Sequence, residues 1–167
     1  MKKLLLNLVL AAVLCPIGAR AEISIGGWAV TDKPDDGVCT AVREYKDPDD
    51  DNRENAVALG VGAAKDGERF LVVSLAYEGW AWDKDETVKA DFKIGSKMIH
   101  KASNWKAVSK TGLVSTFKGA AVDTYLETLG TGQKMLLTFD KDSEANFLIP
   151  NVGMALGAMK LCLGGGR

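Results

Sequence analysis

The sequence predicts a mainly β fold, an antiparallel β-sandwich or partly open barrel with two short helices, the second at the C-terminus. Three observations predict it. Short apolar stretches alternate with a period of two, clusters of Gly, Asp, Asn and Pro separate them, and a helical period occurs only twice.

In chain order, residues 24–30 and 38–45 have strand composition, and Asp32, Lys33, Pro34, Asp35, Asp36 and Gly37 between them are turn formers. The acidic run Asp47, Pro48, Asp49, Asp50, Asp51, Asn52 reads as a loop. Val57, Leu59 and Val61 then alternate with Ala58, Gly60 and Gly62, which gives one bulky face and one bare face open to close approach. Lys65-Asp66-Gly67 turns the chain into residues 70–77, apolar on both sides except at Ser74, as in a central strand covered on two faces.

The clearest strand is 86–94, with Val88, Ala90, Phe92 and Ile94 on one side and Thr87, Lys89, Asp91 and Lys93 on the other. Gly95-Ser96 follows, glycine first as a type II′ hairpin requires. Residues 97–101, 105–108 and 113–117 continue as short strands, and a meander is the economical topology. A helix fits 119–129 through Val122, Leu126 and Leu129, and strands fit 135–139 and 146–149 before Pro150. The last segment has a helical period that places Met154, Ala158, Leu161 and Cys162 on one face, with Asn151 positioned to cap it. Gly153 and Gly157 give that helix a bare face to press on the sheet.

The N-terminus has the layout of a secretory signal peptide. Lys2 and Lys3 precede an apolar run over residues 4–14, and Pro16 and Gly18 lead to the small-x-small triplet Ala19-Arg20-Ala21. Cleavage after Ala21 leaves one exported domain, 22–167, and places it in the periplasm or outside the cell. The alternatives are a membrane anchor, for which the run is about half the ~20 residues a span needs, and a lipoprotein at Cys15, where Leu14 stands in place of the small residue a lipobox requires. No second long apolar run follows, so no membrane span is expected in the mature chain.

Three of the 21 basic groups lie in the leader, so the mature chain carries more acid than base, which argues against nucleic acid or anionic lipid as partners. It keeps Cys39 and Cys162, and in an oxidising compartment these allow one pairing. A bridge closing so long a loop is worth roughly 4–5 kcal/mol in the chain-entropy model. Two buried free thiols are the other reading.

Candidate chemistry is sparse. His100 is the only histidine and no Gly-x-Ser-x-Gly elbow occurs, so a hydrolase triad has no support and His100 reads as a strand residue. One histidine and a probable cystine pair leave too few ligands for zinc. Asp47, Asp49 and Asp51 match the first ligands of an EF-hand, but Asn52 and Ala58 stand where its glycine and glutamate belong. No cofactor is expected.

The stretch from Tyr77 to Glu86 stands out. Trp80 and Trp82, two apart, project to one side of an extended chain, with Asp83 and Asp85 immediately after. These four residues are the candidate site for a partner or ligand, since tryptophan is favoured at binding hot spots. The competing reading has the tryptophans capping the open end of the core. Glu78, Asp83, Asp85 and Glu86 also supply the carboxyls that a small envelope-glycan hydrolase would need across a cleft.

The order of these features resembles the invasion-associated locus B family of small exported bacterial proteins. The matching residues are Gly27-Trp28, Cys39 in a first hairpin, a strand pair around Lys65-Asp66-Gly67, a helix ending Leu129-Gly130-Thr131-Gly132, and Ile149-Pro150-Asn151-Val152-Gly153-Met154-Ala155-Leu156. The resemblance covers most of residues 26–157. The family's cysteine close after the tryptophan and its mid-chain pair are not present, and Cys162 stands as an added or relocated partner. The resemblance implies a periplasmic β-sandwich linked to host-cell invasion or envelope stress, with no enzymatic residues to carry over. The expected function is therefore non-enzymatic: a periplasmic or secreted binding or accessory protein for an envelope or host partner.

Overall fold

Alternation puts Val57, Leu59 and Val61 on one face of a strand, and the computed structural model turns that face into the core, leaving each of the three at most 2% exposed. The structure describes residues 22–31, 37–140 and 143–164. The signal peptide expected over 1–21 lies outside them.

Ten strands form one antiparallel sheet that is not closed on itself. They are β1 (Glu22–Ile25), β2 (Trp28–Thr31), β3 (Val38–Asp47), β4 (Arg53–Ala63), β5 (Arg69–Tyr77), β6 (Thr87–Ile94), β7 (Lys97–Ser109), β8 (Gly112–Lys118), β9 (Lys134–Asp140) and β10 (Ser143–Leu148). Two helices accompany them, α1 (Ala121–Thr131) after β8 and α2 (Val152–Gly164) at the C-terminal end. The spatial order is β1-β2-β3-β4-β5-β8-β7-β6-β9-β10. The first five strands form the expected meander. The next three then run backwards, because β5 pairs with β8 rather than β6, and residues 78–86 span the gap.

The mainly antiparallel β class with two helices is therefore what the chain adopts, while several elements differ in detail. The strand expected at 24–30 is a hairpin, since Gly26 and Gly27 both take positive φ and reverse the chain. Residues 97–109 form one strand, not two. Its kink at Ala102, φ 47°, absorbs a shift in register against β6. The Gly95-Ser96 hairpin is as expected, with only the glycine at positive φ. Helix α1 begins two residues later than the sequence pattern placed it.

The last helix buries a different face from the one expected. Ala158 and Cys162 point into the core with Val152, Ala155, Leu156 and Met159, but Met154 and Leu161 are 51% and 78% exposed. This segment is apolar nearly all round, so its hydrophobic pattern cannot mark one face. Gly153 presses on α1 instead of the sheet, and a Cβ there would lie 2.7 Å from the Gly130 carbonyl oxygen. Gly157 faces open space. Asn151 does not cap with its side chain, whose amide donates to the Gly26 carbonyl.

One core cluster joins β2 through β10 and both helices. Cys39 on β3 and Cys162 on α2 are disulfide-bonded across 123 residues, with Cα atoms 6.2 Å apart, so the last helix is tied to an early strand. Among the described residues, no helix is long and apolar enough to cross a membrane.

Candidate functional site

Strands β3, β5, β7 and β9 all end at the same rim of the sheet, and residues 78–86 cross it. Backbone bonds hold this crossing in place. Trp80 N–H donates to the Tyr77 carbonyl, Trp82 N–H to Lys110 and Asp85 N–H to Ala107, and Ala107 N–H donates back to Glu86. The segment is thus laced to the end of β7 and the β7–β8 turn.

That lacing places both tryptophans over the rim. Trp80 meets Tyr77, Phe139 and Phe147 at centroid separations of 5.7, 5.9 and 5.7 Å, mostly edge to face. Trp82 meets Trp80 at 5.8 Å and Phe139 at 5.4 Å. Both rings are half-buried and pack on the main core. One feature of a pure cap is missing: the Trp82 indole N–H is buried with no hydrogen-bond partner among the described residues. An unsatisfied donor of this kind costs about 1–3 kcal/mol in a closed core.

Asp83 and Asp85 are exposed beside the tryptophans. Asp83 N–H donates to the Glu86 carboxylate at 3.1 Å. Asp85, at φ 68°, pairs with Lys106 at 2.8 Å, and the hydrogen bond and charge of that ammonium hold its carboxyl below the usual range. That direction is the opposite of what a glycosidase general acid needs. Glu78 accepts from the Glu54 N–H.

A second set of rim residues includes two, Tyr45 and Asn55, that the sequence pattern did not single out. Tyr45, Asn55 and Tyr77 are register partners across β3, β4 and β5, so they form one row on the core face at the rim. The Tyr45 hydroxyl accepts the Leu148 N–H from β10 at 2.7 Å. Burial, its largest influence, pushes the Tyr45 phenol up. The Tyr77 hydroxyl donates to Asp50 at 2.6 Å and accepts from Arg53, and the bond to Asp50 is the main cause of its raised pKa. Asn55 is 2% exposed and its side-chain oxygen has no partner among the described residues, nor has Nε of Arg43, one step down β3 from Tyr45. No periodicity marks these residues. Their alignment depends on strand register, which one sequence does not display.

The acidic loop is the β3–β4 hairpin turn. Asp47 accepts the Asp49 N–H, and Asp50 serves Tyr77 and Arg53. His100 is exposed, with Nδ1 2.9 Å from the Lys101 carbonyl oxygen. No group of three or more metal-ligating side chains converges among the described residues.

No protein-family model, curated protein or solved structure matches the chain.

Proposed function

We propose that the chain is a non-enzymatic exported binding protein whose contact surface is the aromatic rim around Trp80 and Trp82. The observation that carries this reading is the state of those rings. They are half-exposed at an open end of the sheet and laced by backbone bonds, and one has a buried indole donor with no partner among the described residues. Pre-organised, partly exposed tryptophan is the usual chemistry of a contact hot spot. The flanking Asp83 and Asp85 add exposed polar groups beside the rings, Asp85 in an ion pair with Lys106.

Export to the periplasm or beyond follows from the leader-like pattern ending at Ala21, and an envelope or host partner from the resemblance to invasion-associated locus B proteins. The disulfide supports an oxidising compartment.

The test uses the mature protein as bait on solubilised envelope and on host-cell extract. Trp80→Ala/Trp82→Ala should reduce retention of a specific partner by tenfold or more, on the order of a hot-spot loss. Both rings touch the core, so Trp82→Phe serves beside it: it keeps an aromatic ring at the position while removing the donor and the second ring. Retention unchanged in both variants, with the fold intact by circular dichroism, rejects the site.

A further inference from the structure

The sheet's two ends are treated differently. β1 at one edge is only four residues long, a common way of keeping an edge from pairing. β10 at the other edge has six residues and contains no proline or lysine. Its only irregularity is a register shift at its first residue pair.

Alternate residues of an edge strand turn their backbone groups away from the sheet. Ile149 N–H donates to the Gln133 carbonyl, which continues the phase in which Ala145 and Phe147 bond to β9. Glu144, Asn146 and Leu148 therefore direct N–H and C=O outward. Of these groups only the Leu148 N–H has a partner among the described residues, and that partner is the Tyr45 side chain.

A second unpaired stretch lies on β3, whose Tyr45 hydroxyl reaches the Leu148 N–H of β10. Thr40 N–H bonds to Thr31 of β2, so the even-numbered residues of β3 point toward β2. Pairing with β2 stops at Val42, and the backbone groups of Glu44 and Lys46 have no partner on that side among the described residues. Lower down, α2 packs on β2 and β3 and is bonded to Cys39. Above it, the seam between β3 and β10 is bridged by one tyrosine hydroxyl.

We propose that this seam is a strand-addition site, in which an extended segment of a basic partner polypeptide hydrogen-bonds to the free edge of β10. Main-chain pairing would supply the attachment, and alternate side chains the selectivity. Inward residues of the added strand would lie beside Ala145 and Phe147, which calls for apolar side chains. Outward residues would face Glu44 and Glu144, with Asp47, Asp49 and Asp51 on the hairpin above, against Lys46 on the outer face of β3 and Lys134, the register partner of Leu148, on β9. That charge balance calls for lysine or arginine. The site does not depend on the tryptophans.

The probe is an alternating Lys-Val octapeptide, with a Glu-Val octapeptide and a Lys-Val peptide N-methylated at alternate amides as controls. The readout is amide hydrogen exchange of Glu144 and Asn146 in the mature protein. The Lys-Val peptide should slow both by roughly tenfold or more, since free-edge amides exchange without unfolding. Neither control should. Asn146→Pro removes an outward N–H while keeping the ladder to β9, and should abolish the effect. Should that variant fail to fold, the N-methylated peptide carries the same test. No slowing at millimolar peptide overturns the proposal, as does equal slowing by either control. Protection that arises from concentrating the protein alone, with a dimer in sedimentation, would assign the edge to a second copy and overturn it as well.

Discussion

Tyr77 shows how much one side chain can hold together at the rim. Its ring meets Trp80, its hydroxyl donates to Asp50 in the β3–β4 hairpin, and Arg53 lies over its face at 5.7 Å. Its phenol keeps its proton above the ordinary range, first because Asp50 needs that proton as a donor and second because of burial. The linkage follows: the unfolded chain loses the proton near the usual phenol value of about 10, while the folded chain retains it. The stabilisation is complete below that value and is lost as pH rises through the folded pKa. Absorbance at 295 nm should show late-ionising tyrosine, and Tyr77→Phe and Tyr45→Phe should each remove a late component. If either substitution removes only a component titrating in the ordinary phenol range, that tyrosine's bonds and burial do not act as described. Asp85 carries the opposite sign. Its pairing with Lys106 depresses its pKa, so whatever it contributes is present above the ordinary carboxylate value and disappears on acidification. Lys106→Met should return its titration, followed by carbon-detected NMR, toward the ordinary range.

At the scale of the element, α2 holds two glycines whose substitutions should have opposite signs. Gly157 sits in the helix interior with nothing within 4 Å of a built Cβ, so Gly157→Ala should raise stability by about 1 kcal/mol through helix propensity. At Gly153 the added methyl would meet a main-chain carbonyl of α1 at 2.7 Å, and backbone on both sides has little freedom to yield. Gly153→Ala should therefore destabilise, by roughly 1–3 kcal/mol as overpacking does. Urea unfolding of the pair checks this, and equal shifts of the same sign would contradict it. The difference between these glycines was not legible beforehand, because four-residue spacing describes both. The same holds for Met154 and Leu161, which a helical wheel assigns to the core and the structure turns outward. Where polar and apolar residues alternate, as in Val88 to Ile94, the buried face was legible to the residue. Where every neighbour is apolar or small, only the tertiary partner selects the face. The β5–β8 pairing lies further still from sequence legibility, because alternation marks a strand's faces but not its neighbours.

For the whole molecule, one continuous core and one long covalent loop make the same demand. Both helices and nine of the ten strands contribute to one large buried cluster, and the second, Ala56, Ala58 and Ala76, is a small patch on the reverse face of β4 and β5. No part therefore has a core independent of those strands, and unfolding should be a single cooperative transition. The Cys39–Cys162 bond then acts on the entire chain, restricting the unfolded state across 123 residues of separation while adding little to the packing around α2. Two consequences distinguish this from a local clamp on the last helix. Replacing both cysteines by alanine should lower stability by about 2–5 kcal/mol, and it should also raise the urea m-value, because the unlinked chain exposes more surface on unfolding. A melting temperature lower by about 10 °C is the matching thermal result for a chain of this length. A purely local role would instead leave the m-value unchanged and split the transition, with α2 released first. In the intact, unreduced protein, titration under denaturing conditions should find no free thiol at Cys39 or Cys162, and two reactive thiols there would remove the constraint from which both consequences derive.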